Sequence, residues 1–256
     1  MIEKGSSYTV TALDGIPLVK AGDDVPGLIL AALAHHDLTL QNGDVLVVTS
    51  KIISKAEGCT ANLADVEPGD DALHYAQVTG KDPRLVELVL RESRIVSRAS
   101  KGVLVTEHRL GFVSANAGID QSNAEDGDNT VLLLPPDPDG TARSIRERMK
   151  VETGADIGVM LSDSHGRPFR LGNIGVAIGI AGMPGLLDLR GETDLFGREL
   201  QISVQAYADL VASAATLATG EGSEGRPVVL VRGLQFPDVR GRASEMNRPA
   251  DQDFYR

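Results

Sequence analysis

The residues best suited to chemistry fall in four short stretches, and the densest is Ser162-Asp163-Ser164-His165-Gly166-Arg167-Pro168-Phe169-Arg170. It supplies a carboxylate, hydroxyls, an imidazole and two guanidinium forks, groups that suit a metal, a phosphate or a carboxylate ligand. The apolar run before it, Ile157 to Leu161, is short and partly β-branched and predicts an interior strand with Asp163 at its carboxyl end. Such a position gives a functional carboxylate a rigid base. The alternative is an ordinary turn made by Asp163, Ser164 and Gly166, with the arginines solvated. The glycine-rich run Leu171 to Gly185 lets backbone come close to a ligand or to another strand.

The second stretch, Thr49-Ser50-Lys51-Ile52-Ile53-Ser54-Lys55, follows the β-branched run Val45 to Val48. A helix beginning near Ile52 puts Lys51 and Lys55 on one face beside Ser50, which suits a phosphate chain; a plain lysine-bearing surface helix fits as well. The third, Ala115 to Asn123, holds Asp120 and Asn123 in a loop with Gly118. Their carboxylate and amide could serve a divalent cation and a nucleotide hydroxyl or base edge, or form local Asx turns. In the fourth, Thr219 to Pro227, Glu221 lies among Gly220, Gly222 and Gly225, able to fold over a ligand or simply to join a helix to a strand. No Walker loop, no dinucleotide-binding glycine motif after a strand, no zinc-protease pair and no nucleophile elbow occurs. Acidic Asp120, Asp163 and Glu221 with basic Lys51, Lys55 and arginines match phosphoryl transfer, where oxygen ligands hold Mg2+ or Mn2+ and cations stabilise phosphoryl oxygens.

The elements that must position these groups alternate between strand and helix. Strands are expected at Tyr8 to Leu13, Val45 to Val48, Ile95 to Ser97, Val103 to Thr106, Val131 to Leu134, Leu200 to Val204 and Val228 to Val231. Helices are expected from Val25 or Pro26, over Pro83 to Arg94, over Thr141 to Thr153 with Ile145, Met149 and Val151 inside, and over Ala206 to Ala218. Residues 135 to 140, rich in Pro and Asp, form a stiff linker and mark the best boundary between two lobes of a single 1–256 unit. The 256 residues, 42% of them hydrophobic, are ample for a core, and a net charge of -11 spread along the chain disfavours nucleic acid and anionic membrane as partners. A single cysteine, Cys59, excludes an intrachain disulfide. With no apolar leader and no spanning run, a cytoplasmic location is the expectation.

Several motifs carry a family resemblance: Val47 to Gly58 (VVTSKIISKAEG), Thr106 to Val113 (TEHRLGFV), Ala117 to Asn123 (AGIDQSN), Ser162 to Arg170 (SDSHGRPFR) and Val176 to Gly182 (VAIGIAG). In order, they closely resemble the coenzyme F420-0:L-glutamate ligase family, over about Gly15 to Gly233. The resemblance implies an α+β fold of mixed sheets and helices in two interleaved lobes and a homodimer; some relatives fuse this unit to a reductase-like domain, and none is expected within these 256 residues. It implies an enzyme that joins the amino group of L-glutamate to the terminal carboxylate of coenzyme F420-0 as GTP becomes GDP and phosphate, later glutamates being γ-linked. Asp120, Asp163, Ser164 and Glu221 then match metal-binding positions for Mg2+ or Mn2+, with a monovalent cation such as K+ a further candidate. Ile16, Pro17, Leu18, Val19, Ser50, Lys55, Asn123, Gly220, Glu221, Gly222 and Ser223 match nucleotide contacts. Ser162 and Ser164 stand where relatives commonly carry threonine, and Glu221 where glutamine is also found.

Amide synthesis needs the carboxylate activated, most economically as an acyl phosphate. Asp120, Asp163 and Lys55 are expected to serve that step, and Arg167 or Arg170 to hold a substrate carboxylate. The rival readings are a GTP-dependent ligase or kinase of the same architecture acting on another carboxylate, and a non-catalytic nucleotide-binding module.

Overall fold

The computed structural model describes residues 7–122, 129–237 and 239–253. Strand β1 (Thr9–Leu13), helix α1 (Val25–His35), strand β2 (Val45–Thr49) and helix α2 (Ser50–Ala56) come first. Then follow β3 (Thr60–Asn62), α3 (Asp70–Thr79), α4 (Pro83–Arg91), β4 (Ser93–Ser100), β5 (Val103–His108), β6 (Val113–Ala115) and β7 (Thr130–Leu132). Helix α5 (Pro138–Thr153) leads to β8 (Gly158–Arg167), β9 (Arg170–Ala181), β10 (Leu187–Asp188), β11 (Val204–Gln205), α6 (Tyr207–Thr219) and β12 (Val228–Arg232). Five strands form the central sheet in the order β1-β12-β2-β8-β9, with β2 and β8 parallel and the other pairs antiparallel. Smaller sheets pair β4-β5-β6, β3-β7 and β10-β11, so the fold is α+β as expected. No helix among the described residues is long and apolar enough to cross a membrane.

Both faces of the central sheet are covered, which is why β2 is an unbroken apolar run. Leu46 and Val48 pack with α1 and α5 through Ile29, Ile145 and Met149. Val45 and Val47 pack with α6 through Ala208, Val211 and Ala215. A third core joins α3 and α4 to β5 through Ala72, Leu85, Val89 and Leu104. At one end of the sheet the buried carboxylate of Asp44, before β2, takes bidentate bonds of 2.8 and 2.7 Å from Arg232, at the end of β12. Both oxygens are engaged, so a charge at 2% exposure is satisfied and the β2–β12 register is pinned.

Several expected boundaries differ. Strand β8 does not stop at Leu161 but runs to Arg167, with Asp163 opposite Val176 in the β8–β9 hairpin, so neither a strand ending at Asp163 nor a turn there is correct. Burial falls away after Ser162 while the antiparallel ladder continues, and hydrophobic periodicity reports only the first. Val151 is 82% exposed. Ala142, Ile145 and Met149 form the buried stripe of α5, and a residue two positions past Met149 points away from it. Residues 93 and 94 join β4 rather than extend α4, Leu133 and Leu134 fall beyond β7, and only Val204 of the stretch 200–204 is in a strand.

The glycines of β9 admit helices rather than ligand. A Cβ on Gly175 would lie 2.2 Å from Thr216 Oγ1 and 2.6 Å from the Ala212 carbonyl oxygen in α6, and one on Gly179 would lie 2.4 Å from the Pro138 carbonyl carbon in α5. Backbone cannot move aside as a flexible side chain does. Gly179→Ala is therefore expected to cost about 3 kcal/mol, the upper end for overpacking, read by urea denaturation. A loss below about 1 kcal/mol would show that α5 can shift and that the close approach is not a constraint.

Candidate functional site

Strand polarity decides what meets at one end of the sheet. Parallel pairing sets Thr49, the last residue of β2, beside Ser162 of β8. Strand β12 starts at Val228 opposite Val48, and β1 ends at Leu13 opposite the same Val228. Chain leaving β1, chain leaving β2, chain entering β12 and the middle of β8 therefore share one end. Between them lies a cavity of about 500 Å³ walled by Ile16 to Val19, Ser50, Lys55, Asp163, Ser164 and the loop from Thr219 to Pro227. Thr49 lines it too, and so does Thr216, which no motif announces.

Within the site, Asp163 is held on two sides. Its Oδ1 accepts from Ser50 Oγ at 3.1 Å, and its Oδ2 lies 3.0 Å from His165 Nε2, with the two side chains only 15% and 11% exposed. Ser164 Oγ donates to Glu221 Oε1 at 2.7 Å, tying the glycine loop to β8. Asp120 exchanges backbone hydrogen bonds with Leu132, which fixes it beside β7. Its Oδ2 pairs with Lys51 Nζ at 2.7 Å and its Oδ1 accepts from the Ser122 amide at 2.6 Å. Burial alone would raise this carboxyl, but the Lys51 ammonium and the Ser122 donors outweigh it and hold Asp120 below the usual aspartate range. Ser50 and Lys51 are neighbours, so the carboxylates of Asp163 and Asp120 are bonded to consecutive residues of α2. Asp120 is nevertheless not on the wall of the cavity.

The turn before Asp120 is strained. Asn116 and Ala117 have φ of 53° and 52°, left-handed values that cost non-glycine residues roughly 1–2 kcal/mol each. Gly118 follows at 68°, and a Cβ there would come within 2.7 Å of Leu134 and 3.5 Å of Asp163 Oδ2. Conformation and close approach to a carboxylate both forbid a side chain here, as they do at Gly220 in the loop, where φ is 74° and a Cβ would crowd the Glu224 carboxylate.

Lys55 reaches the cavity without a hydrogen bond or ion pair among the described residues. The loop has already selected an anion, since the Gly222 amide donates to Glu224 Oε2 at 2.8 Å. Glu224's own amide, that of Gly222 and the nearby Arg226 hold this carboxyl below the usual glutamate range. Arg167 sits at the tip of the β8–β9 hairpin, donating from Nη2 to the Leu171 carbonyl at 2.9 Å, away from the cavity wall. Asn123 lies outside the described residues.

A second cavity, of about 320 Å³, is walled in part by His165, Phe112 and Asp209. Phe112 stacks on His108 at 5.0 Å and tilts against His165 at 4.9 Å. Asp209 accepts from the Ala177 amide at 2.9 Å. Its only sequence signal is an acid inside an otherwise apolar, alanine-rich helix. Burial pushes its carboxyl above the ordinary aspartate range, with the Ala177 bond and His165 offsetting part of the effect. The folded protein thus holds this proton more tightly than the unfolded chain, so the stability it contributes is full below the unfolded pKa and is lost as pH rises through the folded one. Asp209→Asn keeps the acceptor for Ala177 without the charge. It is expected to raise Tm at pH 7, with the gain shrinking as pH falls through the raised folded pKa and gone by the unfolded value of about 4; an unchanged or lower Tm at pH 7 would contradict the burial penalty.

A family model described as F420-0:Gamma-glutamyl ligase matches residues 15–233. Proteins named coenzyme F420:L-glutamate ligase are similar over nearly the whole chain. That of Methanothermobacter thermautotrophicus is 44% identical over 97% of this chain and 98% of its own. That of Methanopyrus kandleri is 46% identical over 95% and 97%, and that of Archaeoglobus fulgidus 43% over 96% of each. By this match and these relatives, the chain belongs to the F420-0:gamma-glutamyl ligase family.

Proposed function

We propose that the protein is an amide-forming ligase that joins L-glutamate to coenzyme F420-0, with GTP as the activating nucleotide. One observation carries the reading: a single cavity draws Ile16 to Val19, Ser50, Lys55, Asp163, Ser164 and Gly220 to Ser223 from stretches far apart in the chain. The glycine loop, whose amides already hold a carboxylate, and the uncommitted ammonium of Lys55 suit the phosphate oxygens.

The donor set fits a hard divalent ion. Asp120, Asp163, Ser164 and Glu221 offer carboxylate and hydroxyl oxygens, while no three acidic, His or Cys side chains converge as a ready-made cage among the described residues. Magnesium ordinarily takes one or two protein carboxylates and completes its shell with phosphate and water, so these residues suit an ion that arrives with the nucleotide. When bound, Mg2+ or Mn2+ would offset the charge repulsion between the triphosphate and an incoming carboxylate.

In the proposed reaction, a carboxylate oxygen of F420-0 attacks the γ-phosphorus of GTP, the bond to the bridging oxygen breaks, and GDP leaves. The glutamate amine then attacks the acyl carbon, phosphate departs with the bonding electrons, and the amine proton is released. Lys55 stabilises the oxygens that gain charge in the first step, Ser50 and His165 hold the Asp163 carboxylate in place, and Ser164 holds Glu221.

Incubation with F420-0, L-glutamate, GTP and Mn2+ is expected to give GDP and an F420 product heavier by one glutamyl residue. Lys55→Ala and Asp163→Asn are each expected to lower kcat/KM by roughly a hundredfold or more. GDP without glutamylated product would point to another carboxylate acceptor, and tight nucleotide binding without turnover to a binding module; either would end this reading.

A further inference from the structure

The 320 Å³ cavity has no part in the nucleotide site, yet it abuts the same reaction centre. His165 lines it, and Asp163, to which that ring is bonded, lines the nucleotide cavity. Its walls come from β9, the first turns of α5 and α6, the turn between β5 and β6, and the segment 243–253. That segment is held in place by Asn247 Nδ2, which donates to the Leu110 carbonyl at 3.0 Å, and by the Ala243 amide, which donates to Asp139 Oδ1 at 3.2 Å. The volume is near the lower end for ligand pockets, the size of an amino acid.

Charge within the cavity is unevenly placed, with the carboxylates of Asp137, Asp139, Asp209 and Asp253 on its walls against one guanidinium, that of Arg248. Asp209 Oδ1 is taken by the Ala177 amide, while Oδ2 has no hydrogen-bond partner among the described residues. Ala177 lies opposite Ser162 across the β8–β9 ladder, so Asp209 is a single strand away from the Ser162–Asp163 peptide. Asp139 is already spent, its Oδ1 accepting from the Ile180 and Ala243 amides. Arg248 is exposed at the segment that covers the cavity, where its Nη1 makes a long 3.5 Å bond to the Gln252 carbonyl. Among the described residues no three acidic or His groups form a metal cage here, and the negative end suits an organic cation.

We infer that this cavity binds the incoming amino acid, its ammonium on Asp209 beside the reaction centre and a carboxylate on Arg248 at the rim. The inference rests on the ligase reading above and adds a seat for its second substrate. The acidic inner wall turns the nucleophilic amine toward Asp163 and the carboxylates outward, so the same charges that orient the amino acid keep its acidic end away from the triphosphate.

The test compares the wild type with Asp209→Asn and Arg248→Ala. Asp209→Asn is expected to raise KM for L-glutamate at least tenfold and Arg248→Ala at least threefold, with KM for GTP within twofold of wild type in both. Saturation-transfer NMR on L-glutamate needs no turnover and separates this inference from the ligase reading. Glutamate bound by the wild type and lost in Asp209→Asn supports it even if no product forms. No glutamate binding by the wild type, or wild-type KM for glutamate in Asp209→Asn, overturns it; if that variant does not fold, the KM of Arg248→Ala decides in the same way.

Discussion

The site depends on the parallel pairing of β2 with β8. Setting Thr49 beside Ser162 brings the residue after one strand within reach of the carboxylate on the other, and the 3.1 Å bond from Ser50 to Asp163 is the result. A slip of one residue would turn Asp163 to the opposite face and break that bond, because side chains alternate along a strand. The antiparallel partners β12 and β1 add the glycine loop and the stretch Ile16 to Val19 at the same end. Four distant segments therefore become neighbours through one choice of register.

The register is guarded away from the site. Asp44 and Arg232 clamp β2 to β12 at the far end, and apolar residues on both faces of β2 make any slip expose or bury the wrong side chains. With the scaffold fixed, strain is tolerated locally. The left-handed run Asn116 to Gly118 ends where a Cβ on Gly118 would meet both Leu134 and the Asp163 carboxylate. Asp209 is a comparable case, a carboxyl whose burial works against stability yet lies one strand from the reacting residues.

Much of the site was legible because its polar groups directly follow apolar strand runs. Ser50 and Lys55 after Val45 to Val48, and Asp163 and Ser164 after Ile157 to Leu161, stand out by abrupt change of residue type. Their convergence was not legible from any local pattern, because it is made by hydrogen-bonded register between residues more than a hundred positions apart. Strand β8 reads too short for a related reason: burial stops near Ser162, whereas the ladder to β9 goes on to Arg167. That extension carries Arg167 out to the hairpin tip, where its chemistry alone had suggested a substrate contact. Val151 misleads because its residue type is apolar although its helical phase faces solvent. Asp209 belongs to no motif, and Phe112 stands in the stretch Thr106 to Val113 with no role that its residue type announces; only the packing of α6 and the β5–β6 turn against β9 gives them a common cavity.

The central claim is that Asp163 and Asp120, brought to consecutive residues of α2, meet a nucleotide's phosphates through a divalent ion. Anomalous diffraction from crystals grown with Mn2+ and a non-hydrolysable GTP analogue tests it directly. A manganese peak within coordinating distance of Asp163 and Asp120, with the phosphates along Gly220 to Ser223 and Lys55, is the expected result. Nucleotide bound elsewhere, or phosphates in that cavity with no metal on either carboxylate, would contradict it.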